Sequence, residues 1–548
     1  MASLPHKSPV AIQKIKSSFT IMPKSIKDFN NIFYHTKRPF FNYVNKEEEN
    51  RFLKYYKYLQ NLVFQIEQIL PIEIPLLKTK EKYGKYELTR KQVALIFLLS
   101  FFNCIKLNEN NCNTFNVSYV LFCQSYHQFE FARCFFNYLT QIGKWLSEGN
   151  PILEEKITYM RDNIDIRNYQ DQKLCDITIK EEGSLFNGRA SYCVDFANKY
   201  IGGGVLSGGC VQEEILFAID PEAVVSLFFM EVMDNNDAIG IYNIIQYSNY
   251  QGYGSKFKFN GSAIPSDINK IRKHNIIAID AISYKKSNKN NSYQNINNNN
   301  YMVMNNSNMM NNNNFNNSNM MNSSSFNNSN MMNNNNFNNN FNNNFNNNFN
   351  NMTNNNMNNM MNNNFNNRNN MMNNNFNCNY NMMTNFYNNN IKIMNNNYNN
   401  IFNNLTNNNF INNTINNNNC NILNNNSNDK MINVNNEEIN RDIHKAFVGF
   451  NLINYDNQKE KTIATGNWGC GAFEGNHELK FIQQWIAASF AGVKRLDYYT
   501  FKNEKMINAQ IYYKEIGQKF KTANQLYCAL LSNKIDTKNI ISSLLSFI

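Results

Sequence analysis

One short stretch, Ser191 to Pro221 (SYCVDFANKYIGGGVLSGGCVQEEILFAIDP), concentrates the side chains best suited to chemistry. An acid and an amide, Asp195 and Asn198, precede five glycines, Gly202, Gly203, Gly204, Gly208 and Gly209, and the stretch then reads Gln212-Glu213-Glu214. Glycine gives up more backbone entropy on folding than any other residue, so this density implies that the chain turns sharply or lets a ligand approach its backbone. The loop is not a P-loop, because no Gly-Lys-Ser/Thr follows, and it lacks the GxGxxG spacing with a nearby ribose-binding acid. A second glycine-rich segment, Thr465 to Gly475 (TGNWGCGAFEG), also follows an apparent strand. Two loops whose backbone N–H groups converge would make an anion-binding cleft suited to a diphosphate.

Glu213 and Glu214 are neighbours, so in a helix they diverge by about 100° and in a strand they face opposite ways. They are not expected to do identical work: one can face a reacting bond while the other anchors a hydroxyl. Burial beside another carboxylate would raise the pKa of the reacting Glu, as a general acid at neutral pH requires. The competing reading is a solvated acidic pair at the favourable positive end of a helix dipole.

These residues need elements to position them. After Asp176 short β-rich runs alternate with helices: Tyr192 to Phe196, Ala238 to Tyr242, Ile276 to Ile282 and Leu496 to Phe501 read as strands, several too continuously apolar to be half-exposed. Asp220-Pro221 predicts a helix through Met233, with Asp at the N-cap and Pro in the first turn. Another helix is expected over Glu478 to Ala491, and the alternation indicates an α/β layered domain. Before it, Leu59, Leu62, Val63, Ile66 and Ile69 recur at helical spacing up to Pro71. Thr89 and Gln92 form a capping-box pattern ahead of the apolar run Val93 to Ile105, and Phe129 to Trp145 predicts a third helix. Residues 1–38, with seven Lys/Arg against Asp28 alone, are read as a flexible basic tail. From about Asn288 to Asn436 the chain is mostly Asn with interspersed Met and Phe, a composition too poor in burial to offset ordering entropy and so expected to be disordered.

The net charge of +11 lies mostly outside the Asn tract, whose few charges are Lys289, Arg368, Lys392, Lys430 and Asp429, and it favours polyanionic partners or is ordinary solubilising charge. Eleven cysteines include no CxxC pair, so neither disulfides nor zinc is expected. The six histidines form no ligand cluster, and His274, His444 and His477 are read as surface or hydrogen-bonded residues. No apolar run reaches the roughly 20 residues that span a bilayer, so no membrane association is expected.

The segment VDFANKYIGGGV followed by QEE resembles the signature of poly(ADP-ribose) glycohydrolases. QYSNYQGY (Gln246 to Tyr253), IAIDA (Ile277 to Ala281), ATGNWGCGAF (Ala464 to Phe473) and YYTF (Tyr498 to Phe501) follow in that family's order, on both sides of the Asn tract. The resemblance covers roughly residues 40–287 and 437–548. It implies a macrodomain-like α/β fold, a mixed sheet flanked by helices, with an N-terminal all-helical accessory unit and a long disordered Asn-rich insertion. The expected division is a tail over 1–38, a helical unit over 39–150, a catalytic domain split between 151–287 and 437–548, and the insertion over 288–436.

The activity implied is hydrolysis of the ribose–ribose O-glycosidic bonds of poly(ADP-ribose) to ADP-ribose. By motif, Glu214 is the general acid/base, Glu213 positions ribose and Asp195 supports them. Asn198 and Gln212 bind or orient the reacting sugar. Gly203, Gly204 and the loop containing Asn467, Gly471, Ala472 and Phe473 hold ribose and diphosphate. Tyr253 and Phe501 pack against nucleotide and distal ribose, and Leu185 contacts adenine. The resemblance calls for no metal or other cofactor, for poly(ADP-ribose) and proteins carrying it as partners without a need for nucleic acid, for a monomer, and for nucleus or cytoplasm. Three other readings stay open: an ADP-ribose-binding reader, a hydrolase of mono-ADP-ribosyl derivatives, and a scaffold.

Overall fold

Eight strands form one mixed sheet that gathers segments from distant parts of the chain. They are β1 (Tyr83–Thr89), β2 (Lys156–Asp162), β3 (Asp176–Lys180), β4 (Tyr192–Ala197), β5 (Ala238–Ile245), β6 (Lys273–Asp280), β7 (Thr462–Gly466) and β8 (Arg495–Tyr499), in the spatial order β1-β2-β5-β6-β4-β7-β8-β3. The β1–β2, β2–β5 and β5–β6 pairs are antiparallel. From β6 across β4, β7 and β8 to β3 every pair is parallel. The carboxyl ends of β4, β7 and β8 therefore lie along one edge, where both glycine loops emerge. In open α/β sheets this is the edge that receives ligands.

The structure, a computed structural model, describes residues 2–3, 8–35, 37–71, 73–105, 107, 111–122, 125–164, 171–183, 185, 190–284, 436–455, 461–532, 535–536 and 539–547. All of them belong to one unit. The expectations for the Asn tract fall outside the described residues.

Alternate residues of the central strands face opposite cores, as strand geometry requires. Cys193 and Ile276 face a core that includes Leu59, Phe97, Tyr138 and Ile215, whereas Val194 and Ile277 face one that includes Ile443, Ile482, Trp485 and Leu496. Burial on both sides explains why β4 and β6 read as almost continuously apolar.

The first core is roofed by α1 (Pro9–Phe19), α2 (Lys46–Phe64), α3 (Arg90–Phe101), α4 (Tyr126–Glu148) and α5 (Gln212–Ile219), and the second by α6 (Asn436–Asn451) and α7 (His477–Phe490). The capping box read from Thr89 and Gln92 is formed: Thr89 Oγ1 accepts from the Gln92 N–H at 3.2 Å, and Gln92 Oε1 accepts from the Thr89 N–H at 2.8 Å. Arg90, fully buried, forms an ion pair with the equally buried Glu222, which also accepts from the Tyr247 hydroxyl at 2.6 Å and the Ile245 N–H at 3.1 Å.

Several expectations need correction. Within the stretch read as a tail over 1–38, residues 8–35 are folded against the core. α1 buries Ile12, Ile15 and Phe19, and Phe19 meets Phe33 with ring centroids 4.8 Å apart. Three apolar residues on one helical face are enough to dock a short helix onto a large core, even among dispersed charges. The N-terminal unit is helical but not all-helical, because β1 leaves it to become the sheet's outermost strand. After Asp220 the regular helix is only Pro221–Val224 and passes into a 3-10 turn at Val225–Phe228, since Met230 pairs with Leu77. Asp220 caps nothing; its Oδ2 lies 2.8 Å from His274 Nε2. Seven of the described cysteines, Cys104, Cys112, Cys134, Cys175, Cys193, Cys210 and Cys470, form no disulfide.

Candidate active site

β4 delivers Asp195 to the sheet's carboxyl edge, the glycine loop follows, and α5 begins at Gln212. Glu213 and Glu214 are both nearly fully buried, at 2% and 6% exposure. Each is held by two backbone N–H groups. Glu213 accepts from Asn198 at 2.8 Å and Gly202 at 2.7 Å. Glu214 accepts from Gly204 at 2.9 Å and, closing the first turn of α5, from Val211 at 2.8 Å. The solvated-pair reading therefore fails: both acids turn inward and the glycine loop wraps them. Gly203 shows why glycine is required. Its φ is +48°, and a Cβ there would stand 2.5 Å from both Glu213 Oε2 and Glu214 Oε1.

Asp195 is fully buried, and neither of its carboxyl oxygens has a hydrogen-bond partner among the described residues. Burial, reinforced by the Glu214 carboxylate, pushes its pKa well above the usual carboxylate range. Burial does the same to Glu213, with repulsion from Asp195 and Glu214 outweighing the two N–H donors that oppose it. Burial thus favours the protonated forms of Asp195 and Glu213 beside Glu214. Such a site can both give and take a proton, which is what acid/base work demands.

The remaining sequence candidates divide. Gln212 is committed to β4: its Oε1 accepts from the Phe196 N–H at 2.8 Å and its Nε2 donates to the Val194 carbonyl at 3.0 Å, so its amide fixes where α5 starts. Asn198 Oδ1 accepts from the Tyr200 N–H at 3.0 Å. Tyr253 is 60% exposed, and its hydroxyl interacts with the Gln212 backbone N–H, which puts the ring beside the acid pair. In the second loop Asn467 joins strand ends, donating to the Thr500 carbonyl at 3.0 Å and accepting from the Tyr498 hydroxyl at 3.3 Å. Gly471 and Ala472 are exposed and Phe473 half-buried. Phe501 is half-exposed and stacks on Tyr499 with centroids 6.0 Å apart. Phe501 and Lys502 both have φ of +53°, a left-handed pair that costs roughly 1–2 kcal/mol per residue. Strain of this kind gathers at ligand clamps.

Leu185 is not brought to this cleft. It is buried, and it lines a cavity of about 230 Å³ with Cys193, Ile245, Lys270, Arg272 and His274, at the end of β5 and the starts of β4 and β6. That is the opposite edge of the sheet, so the adenine contact expected of Leu185 is not supported. The sequence reading missed Val211 and gave Gly202, one of its five glycines, no part in holding an acid; each contributes a backbone N–H that no side-chain motif reports. It also missed Asn113, whose side chain reaches the glycine loop from 88 residues upstream of Ile201.

Among the described residues no group of three or more His, Cys, Asp or Glu could hold a metal ion, and no helix is long and apolar enough to cross a membrane. Residues 164–302 and 379–508 match the family model of the macrodomain-fold catalytic part of poly(ADP-ribose) glycohydrolase, and residues 43–161 match that of its helical domain. Poly(ADP-ribose) glycohydrolase 1 of Arabidopsis thaliana is 34% identical over 224 residues, which is 38% of this chain and 40% of that protein. The probable poly(ADP-ribose) glycohydrolase 2 of the same plant is 33% identical over 162 residues, 27% of this chain and 31% of that protein. Poly(ADP-ribose) glycohydrolase 2 of Caenorhabditis elegans is 38% identical over 86 residues, 16% of this chain and 18% of the relative. The chain thus spans two fifths or less of the length of these relatives. With a mixed sheet, a glycine loop wrapped around a buried acid pair and matches on both sides of the Asn tract, the chain belongs to the poly(ADP-ribose) glycohydrolase family.

Proposed function

We propose that the protein hydrolyses the ribose–ribose O-glycosidic bonds of poly(ADP-ribose) and releases ADP-ribose. The observation that carries this reading is the pair of buried carboxylates, each held by two backbone N–H groups around a glycine that admits no side chain. Glu214 acts as general acid/base. It gives its proton to the leaving ribose oxygen as an oxocarbenium-like sugar forms, and its carboxylate then takes a proton from the attacking water. Glu213 accepts a hydrogen bond from a ribose hydroxyl. Asp195 keeps a proton within the cluster, while Asn198 orients the sugar. Gly203, Gly204 and the Asn467–Phe473 loop hold ribose and diphosphate, and Tyr253 and Phe501, as exposed aromatic faces, pack against the nucleotide and distal ribose. The catalytic domain is formed by residues 151–287 with 437–548, in contact with the helical unit 39–150. Proteins carrying the polymer are its partners, in the nucleus or the cytoplasm.

The test is product analysis by the purified full chain on defined polymer and on mono-ADP-ribosylated protein side by side, without added metal. Release of ADP-ribose from the polymer supports the reading. Polymer binding without product would make the protein a reader, and release only from the mono-modified protein would move its substrate.

A further inference from the structure

A side chain of the helical unit, Asn113, reaches the peptide groups that hold the acid pair. Asn113 lies in a short segment between α3 and α4 that is pinned on both sides: Leu107 and Phe115 form a bridge, Cys112 bridges Glu231, and the Val232 N–H donates to the Asn111 carbonyl at 2.6 Å. The orientation of the Asn113 amide is fixed locally, because its Oδ1 accepts from the Thr114 N–H at 2.8 Å. Its Nδ2 therefore faces the glycine loop, where it donates to the carbonyls of Ile201 and Gly203, both at 3.0 Å.

Those two carbonyls belong to the peptide groups whose other ends are the N–H groups of Gly202 and Gly204. The Gly202 N–H is the one that donates to Glu213 at 2.7 Å, and the Gly204 N–H is the one that donates to Glu214 at 2.9 Å. A trans peptide is planar, with its C=O and N–H pointing in opposite directions. Holding the carbonyl therefore aims the N–H. Each chain of two hydrogen bonds also strengthens its own members by mutual polarisation.

We propose that Asn113 is a positioning residue for both glutamates: one amide nitrogen, with its two hydrogens, orients the two peptide groups that present N–H donors to Glu213 and Glu214. This rests on the function proposed above for its catalytic consequence, though not for the clamp itself. The side chain is suited to the task, since an NH2 group offers two donors from one atom. Asp is isosteric but offers none, and would set a carboxylate against two carbonyl oxygens.

The test compares Asn113→Asp, Asn113→Ala and Asn113→Gln in the full chain. The first readout is amide hydrogen exchange in peptides spanning residues 199–211, which needs no turnover. Exchange there should quicken at least tenfold in Asn113→Asp and Asn113→Ala, with the sheet strands unchanged. The second is steady-state kinetics on poly(ADP-ribose). Here kcat should fall in the order wild type, Gln, Ala, Asp, with Asp at least thirtyfold down and KM within threefold. A side chain that merely fills space would give the reverse order, with isosteric Asp close to wild type and Ala worst. Wild-type exchange and kcat in Asn113→Asp would overturn the proposal. If wild type itself releases no ADP-ribose, the functional reading fails while the exchange rates still decide the clamp.

Discussion

Replacing Gly203 by Ala tests the site's geometry with a single methyl group. The added Cβ would stand 2.5 Å from a carboxylate oxygen of Glu213 and 2.5 Å from one of Glu214, and 3.3 Å from Glu213 Cδ. Ordinary contact needs about 3.4–4 Å, so the carboxylates must retreat by close to 1 Å or the loop must open. The free end of a long side chain would normally swing away at little cost. Here each carboxylate is tied to two N–H groups at 2.7 to 2.9 Å, and such a retreat lengthens those bonds past the range in which they hold. The φ of +48° adds about 1–2 kcal/mol for any non-glycine residue. A displacement of about 1 Å at a reacting group is worth on the order of 100-fold in rate. We therefore expect kcat for ADP-ribose release to fall about 100-fold or more, in a protein that still melts cooperatively. The assay is chromatographic quantitation of ADP-ribose under saturating polymer, beside a thermal melt. Turnover within threefold of wild type would refute the reasoning, since the methyl group would then have found room that the geometry denies.

Glu214→Asn should abolish turnover while ADP-ribose binding, measured by calorimetry, persists; loss of both would mean that Glu214 holds the fold of the loop. Asp195 has a pKa raised in the folded state, so its contribution favours folding below the unfolded value of about 4 and opposes it as pH climbs through the native value. Asp195→Asn should accordingly raise the melting temperature at pH 8 and leave it nearly unchanged at pH 4; an equal shift at both would exclude a titration origin. Arg90→Met leaves the buried Glu222 carboxylate without its cation and should cost about 3–5 kcal/mol in denaturant unfolding, of which Arg90→Met with Glu222→Gln should recover a large part. Deleting residues 290–435 should leave turnover within a few-fold; loss of folded protein would sink the view of the tract as a loop insertion.

What the sequence disclosed followed its strongest physical signals. β4 and β6 were legible because burial on both faces leaves no polar alternation, and α3 because its capping box and apolar run agree. Glu213 and Glu214 stood out because a glycine loop leads straight into them. β1 was not legible: YGKYELT is half-exposed at an edge and alternates weakly, so its charged residues masked a strand. α1 was hidden because its anchors are only Ile12, Ile15 and Phe19, and their partners, Phe33 and Phe102 among them, lie elsewhere in the chain. Gln212 and Asn467 were identified by motif, yet their amides bond to neighbouring backbone and side chains, a commitment that only tertiary structure reveals. The place of Leu185 was not legible, because the chain between β3 and β4 carries no pattern that says to which edge of the sheet a side chain turns.

The pairing of β4 with β7 has a consequence for how the protein is made. The partners are far apart in the chain: Ser191 and Thr462, at the start of this seam, are 271 positions apart. At about 5–20 residues per second, a ribosome takes on the order of tens of seconds to travel between them. Throughout that interval β4, already carrying Asp195, has its β7 side unpaired, with N–H and C=O groups able to recruit another strand. The nascent chain must therefore pass through a half-sheet stage. Its yield in cells should depend on chaperone capacity and on growth temperature more steeply than the finished fold's stability would suggest.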